Sequence, residues 1–176
     1  DLIINSGNGN DLMVLDDTGD TVANTDGNLS SIEVTGLGIG ADKSIEYNEL
    51  EEININLGEG ADQFTVESTL AGTVVMIEGR GGDDRINIKS NEGTTSVYGD
   101  ARSGSFKVGT NEILINEGND TFLVGSETLS SIGGSNEGGV LDNIGGTLTL
   151  LGGGNNADED KFFAYDNGSD NSTNAE

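Results

Sequence analysis

Acidic turns of one form recur along this chain, and they are the residues best suited to chemistry. The copies are Gly7-Asn8-Gly9-Asn10-Asp11, Gly58-Glu59-Gly60-Ala61-Asp62, Arg80-Gly81-Gly82-Asp83-Asp84, Asn116-Glu117-Gly118-Asn119-Asp120, and a looser version ending at Asp160. Glycines four and two residues before the aspartate let the backbone adopt positive φ and approach a ligand closely. The carboxylate, with backbone carbonyls of the same bend, can then build an oxygen shell. Hard divalent cations bind such shells, Ca2+ above all, because it takes six to eight oxygens in loose geometry. One turn supplies too few oxygens, whereas two stacked turns supply enough. Gly58, Gly60 and Asp62 with Gly82, Asp83 and Asp84 therefore form the first candidate metal site. Asp11, Asp120 and the clusters Asp16-Asp17-Asp20 and Asp158-Glu159-Asp160 are further candidates. The competing reading is purely structural: turn aspartates also satisfy backbone amides and form ladders with no metal at all.

Each turn is held between apolar residues spaced for strands. Two and four residues after the aspartates stand Met13 and Leu15, Phe64 and Val66, Ile86 and Ile88, Phe122 and Val124, Phe162 and Ala164. Upstream lie Leu2 with Ile4, Ile53 with Ile55, and Val75 with Ile77. The period of two predicts a strand on either side of every turn. Asp62 and Asp84 are 22 residues apart, so a coil of two strands and two bends would set successive turns about 4.8 Å above one another. The expected fold is all-β, a parallel β-solenoid (β-roll or β-helix) with rungs of about 20 residues and Gly/Asp turns. Shorter strands are expected at 31–35 and 44–47, and Tyr98-Gly99-Asp100 reads as a degenerate turn.

Composition agrees with that architecture. Glycine supplies 29 of 176 residues and apolar residues only 32%, too few for a compact spherical core but enough for the thin inward row each rung requires. Proline is absent, as suits a chain that pairs its strands on both edges. Residues 1–165 are expected to form one solenoid domain. Asp11 followed by Asp16-Asp17-Thr18-Gly19-Asp20 is echoed, 149 residues on, by Asp160 followed by Asp166-Asn167-Gly168-Ser169-Asp170. Residues 166–176 thus read as a polar tail or the start of the next repeat, and the chain as mature or as an excerpt of something longer.

With 32 acidic against 7 basic residues and a formal charge of −25, the surface repels phosphate backbones and anionic headgroups. Nucleic acid and membrane insertion are not expected as partners, and no apolar run reaches the length of a membrane span. Cations are the natural partners. There is no Cys and no His, so thiolate and imidazole metal sites are out of reach, and so is a base with an ordinary pKa near neutrality.

The motifs Gly58-Glu59-Gly60-Ala61-Asp62-Gln63-Phe64 and Gly7-Asn8-Gly9-Asn10-Asp11-Leu12-Met13, with Gly79, Gly82, Asp84 and Ile86 as a third, resemble the repeats-in-toxin nonapeptide. That resemblance implies a calcium-binding parallel β-roll and a secreted protein. It covers about 10 residues in each of four or five places, about a third of the chain, and the nonapeptides here are not in immediate tandem. The stretch from Glu52 through Gly58 to Val66, and the segment from Val140 to Gly154, are similar to the long Gly/Asn/Asp-rich repeats of giant bacterial surface proteins. These imply an adhesive or cell-envelope solenoid. The resulting expectation is a non-enzymatic extracellular or cell-surface repeat of an adhesin, surface layer or fibre, ordered by Ca2+ and continuing end to end as a filament or tandem array. The alternative is a calcium-dependent β-helix that binds or degrades polysaccharide; it lacks an aromatic platform, and its few cations are Lys43, Arg80, Arg85, Lys89, Arg102, Lys107 and Lys161. Sequons at Asn28, Asn119, Asn167 and Asn171 allow glycan decoration, and a glycan ligand is a further possible partner.

Overall fold

The computed structural model describes residues 1–100, 106–108, 111–113, 118–125, 139–153 and 159–166. The polar tail from 167 on, with the sequons at Asn167 and Asn171, lies outside the described residues, as does Asp158. The strands are β1 (Leu2–Asn5), β2 (Leu12–Asp16), β3 (Gly27–Leu29), β4 (Glu33–Thr35), β5 (Ser44–Asn48), β6 (Glu52–Asn56), β7 (Gln63–Val66), β8 (Val74–Arg80), β9 (Arg85–Ile88), β10 (Thr94–Asp100), β11 (Phe106–Val108), β12 (Asn111–Ile113), β13 (Thr121–Val124), β14 (Leu148–Leu151) and β15 (Lys161–Ala164). No helix occurs among the described residues.

Two largely parallel sheets of short strands stack like a β-solenoid. One sheet has the order β14-β10-β8-β6-β2, and every neighbouring pair in it is parallel. The other has the order β1-β5-β4-β3-β7-β9-β13-β15. Its run from β3 to β15 is parallel, while β4 runs antiparallel to both β3 and β5. The chain passes from the first sheet to the second through the acidic turns and returns through bends such as 67–73. Steps between registered residues vary: Phe64 meets Ile86 and Ile53 meets Val75, 22 residues on in each case, but Ile86 meets Phe122 and Phe122 meets Phe162. Insertions at the bends lengthen some turns of the coil without moving its strands.

The register stacks apolar residues into inward columns. In the first sheet these run Met13-Ile53-Val75-Thr95-Leu148 and Leu15-Ile55-Ile77-Val97-Leu150. In the second they run Phe64-Ile86-Phe122-Phe162 and Leu29-Val66-Ile88-Val124. The middle members are fully buried and form one continuous core. Each buried aliphatic or aromatic side chain contributes roughly 1.5–3 kcal/mol, so a row one residue thick per strand suffices. Gly27 begins the Phe64 column, because a Cβ there would press into the Phe64 ring at 2.5 Å.

Candidate functional site: a ladder of aspartates

Between the two sheets, on one rim, the turns lie directly over one another and their aspartates are hydrogen-bonded in series. The Asn24 backbone N–H donates to Asp62 Oδ1 at 2.7 Å, Asp62 N–H to Asp84 Oδ1 at 2.8 Å, Asp84 N–H to Asp120 Oδ1 at 3.0 Å, and Asp120 N–H to Asp160 Oδ1 at 3.0 Å. Every carboxylate thus accepts the amide of the preceding rung, and all bonds point one way. A second, exposed ladder runs beside it: Asn119 N–H donates to Asp83 Oδ1 at 2.9 Å and Glu159 N–H to Asn119 Oδ1 at 2.8 Å.

The glycines of the motif are explained by this stacking. A Cβ at Gly60 would lie 2.5 Å from the Ala23 amide nitrogen, and one at Gly82 would lie 2.5 Å from the Gly60 carbonyl oxygen. One at Gly118 would overlap the Gly82 carbonyl. The glycine two residues before Asp62, Asp84 and Asp120 therefore admits the backbone of the adjacent rung, and Gly82 adds a φ of 96° that side chains rarely adopt. A second set of glycines, of which only Gly79 belongs to a copy of the motif, makes room for the carboxylates. A Cβ at Gly79 would overlap Asp84 Oδ2, one at Gly99 would overlap Asp120 Oδ2, and one at Gly152 would overlap Asp160 Oδ2. In the Asp62 turn the corresponding oxygen instead accepts the Gly58 N–H at 3.1 Å.

Asp62, Asp84 and Asp120 are 2%, 1% and 1% exposed, and the second oxygens of Asp84 and Asp120 are buried with no hydrogen-bond partner. Burial pushes the Asp84 carboxyl up to about 9, with Asp120, Asp62 and Asp100 adding to the shift and the Asp62 amide opposing it. The Asp120 carboxyl is pushed up to about 7 by burial and by Asp100, Asp160 and Asp83, against the Asp84 amide. Asp62 is raised as well, chiefly by burial, although the Asn24 and Gly58 amides pull it down. A buried carboxylate without a counter-charge is costly, so each orphaned oxygen calls for a proton or a cation.

The cluster Asp16, Asp17 and Asp20 joins this rim from the turn between β2 and β3. Asn24 Nδ2 donates to Asp17 Oδ2 at 3.1 Å and to Asp20 Oδ2 at 3.2 Å. The Asp20 carbonyl accepts the Glu59 N–H at 2.7 Å. Asp17 is raised by burial and by the charges of Asp20, Asp62 and Asp16. Asp16 and Asp20 are lowered, by hydrogen bonds from Thr18 and from Val22 respectively.

Asp11, a further candidate by its motif, lies elsewhere and does not share this rim. Its strand β2 pairs with β6, the strand before the Asp62 turn, rather than with β7 after it. The Glu52 N–H donates to the Asp11 carbonyl at 3.1 Å and the Val74 N–H to the Glu51 carbonyl at 2.8 Å. Asp11 therefore stacks over Glu51 and Thr73 on the opposite rim, where its amide donates to Glu51 Oε2 at 2.8 Å. The motif is the same, but the chain there is crossing from β1 in the second sheet to β2 in the first. Of the candidate residues, Asp16, Asp17, Asp20, Gly58, Gly60, Asp62, Gly82, Asp83, Asp84, Asp120 and Asp160 share one rim; Asp11 does not.

For a metal, the donor set is mixed. The orphaned oxygens of Asp84 and Asp120 suit a hard cation, and the Gly99 carbonyl faces the same space over Gly79 as Asp84 Oδ2. Among the described residues, however, no three carboxylates converge as a metal-binding group. A bound cation would draw the rest of its shell from carbonyls and water. Protein-family models, curated proteins and solved structures were compared with the chain, and none matches.

Proposed function

We propose that this chain is a non-enzymatic structural repeat of an extracellular or cell-surface protein, an adhesin stalk, surface layer or fibre, whose acidic rim is neutralised by Ca2+. The observation that carries the reading is the pair of buried, unpartnered carboxylate oxygens at Asp84 and Asp120, inside a rim of stacked acidic turns on a chain of charge −25. Such a rim needs counter-charge, and millimolar calcium in an extracellular setting would supply it. Asp84 and Asp120, through their unpartnered oxygens and with carbonyls of the glycine turns, would hold the ions, and Asp62, Asp16, Asp17 and Asp20 would add negative potential along the rim. The stack itself does mechanical work: its parallel strands place each rung's apolar row on the next, so length is added without a larger core. An enzyme reading gains nothing from this rim, whose carboxylates are packed against glycine backbone rather than lining a cleft.

The test is a titration of calcium into chelator-treated chain at pH 8, followed by circular dichroism and thermal melting. Sites of the extracellular class, with dissociation constants of about 10⁻⁴ to 10⁻³ M, would contribute about 1–3 kcal/mol each at 10 mM calcium. Asp84→Asn with Asp120→Asn should abolish most of that gain. Equal melting temperatures with and without calcium would reject the metal and leave the purely structural ladder.

A further inference from the structure

The two ends of the stack differ. Toward the β1–β3 end, the outer edge of β3 is occupied by β4, which runs antiparallel and hands on to β5. Leu37 and Ile39 from the loop after β4 also face Val14 and Leu15 of β2 across a narrow groove. At the other end, among the described residues, β14 pairs only with β10 and β15 only with β13. Both sheets are parallel there, and no described strand pairs with either outer edge.

Three features of the open end specify what would cover it. The inward column of the second sheet ends on Phe162, whose ring stacks on Phe122 with centroids 4.9 Å apart and planes 7° from parallel. Phe122 is fully buried, but Phe162 is 53% exposed, its outer face bare. Lys161 and Tyr165 donate their amides to carbonyls of the β13 rung, so by strand alternation those of Phe162 and Ala164 point to the open edge. The aspartate ladder, finally, has a direction. Asp160 is its last acceptor, and its own N–H, which in every earlier rung reaches an oxygen of the following one, meets no acceptor among the described residues.

We propose that this end is a docking surface for one further rung of the same chemistry: an extended strand, a Gly-x-Asp turn and a second strand, running parallel to β14 and β15. The incoming aspartate accepts the Asp160 amide, and the apolar residue two places after it stacks on Phe162. A second copy docking by its opposite end does not fit this role, because its outermost strand in that sheet is β1, and the turn that follows β1 carries Asp11 beside Glu51 on the opposite rim rather than beside the Asp160 amide. The proposal rests on the reading of the chain as an extendable stack and is independent of calcium.

The experiment uses the full chain, isotopically labelled, and a synthetic peptide with the sequence of residues 51–68, which carries β6, the Asp62 turn and β7. Amide hydrogen exchange is followed with the peptide at millimolar concentration, in chelator and in calcium. The expected result is at least tenfold slower exchange at Phe162 and Ala164 and no change in β1 or β2. Peptides carrying Asp62→Ala or Phe64→Ser should lose the effect. No slowing with the parent peptide in either buffer, equal slowing with the variant peptides, or slowing at β1 and β2 would overturn the proposal. So would sedimentation of the chain alone as a polymer with β15 protected, since the occupant would then be a second copy. Protection in chelator with no calcium effect on melting would sink the calcium reading while leaving this one standing.

Discussion

At the scale of single residues, Asp84 carries two separable jobs. Its Oδ1 accepts the Asp62 amide, and its Oδ2 is buried beside Gly79 without a partner. An asparagine in its place would keep the first and replace the second by an NH2 group facing the Gly99 carbonyl. Asp84→Asn is therefore expected to raise stability in chelator at pH 8 by about 1–3 kcal/mol, whereas Asp84→Ala, which orphans the Asp62 amide, should fall below Asp84→Asn by about 1–3 kcal/mol; urea denaturation midpoints decide both. Space is as tightly allotted as charge. Gly99→Ala would drive a methyl into Asp120 Oδ2 and the Gly152 carbonyl, at a cost of about 1–3 kcal/mol. Gly19→Ala, with nothing within 4 Å of the added carbon, should leave the same midpoint within about 0.5 kcal/mol.

At the scale of elements, the strands are too short to be stable alone, and each is ordered by the rung beneath it and the rung above. Phe122 lies between Ile86 and Phe162 in the parallel register. Its truncation to alanine would open a cavity in the middle of the column and cost about 3–5 kcal/mol. Among the described residues Phe162 has a column neighbour on one side only, and it is half exposed, so Phe162→Ala should cost less than half as much, about 1–2 kcal/mol. Equal losses in thermal melts of the two variants would show that the last rung is covered on both faces. The turns behave as elements in their own right: their backbone-to-backbone stacking through Gly60, Gly82 and Gly118 explains why they hold register where the lengths of the intervening bends vary.

At the scale of the whole molecule, the acidic rim makes stability a function of pH and of ions. Asp62, Asp84 and Asp120 have raised carboxyls in the folded chain, the last two to about 9 and about 7. Between the ordinary value of 3.8 and these values the folded state binds more protons than the unfolded one, so their contribution is fully present below about pH 4 and is lost as pH rises toward 9. In chelator the melting temperature should therefore fall steadily from pH 5 to pH 9. A rise over that range would mean the ladder carboxylates are ionised and compensated by the protein itself. Calcium competes with those protons, so its stabilising effect should be larger at pH 8 than at pH 5. The net charge of −25 also repels itself, and 0.5 M sodium chloride, which shortens the screening length well below 10 Å, should raise the melting temperature at pH 8 even without calcium.

The sequence by itself determined the strands that flank the turns, because a period of two locked to a glycine turn is local information: the apolar partners of Asp62, Asp84, Asp120 and Asp160 all lie where their spacing places them, whereas Tyr98-Gly99-Asp100, which reads as a turn, is the end of β10, and β3 carries no such spacing. It also determined that the coil would be all-β and thin-cored, since 32% apolar residues fill a row and not a sphere. Only the tertiary structure decided which turns share a rim. Asp11 has the same local motif as Asp62, but β2 pairs with β6, and a pairing between residues 40 positions apart leaves no trace in the motif. For the same reason the role of Gly79, Gly99 and Gly152 was hidden: each makes room for a carboxylate that reaches it only after the chain has passed through the turn. The buried, unpartnered oxygens are likewise a property of stacked rungs, because burial of a turn aspartate comes from the rung laid over it and not from its neighbours in sequence.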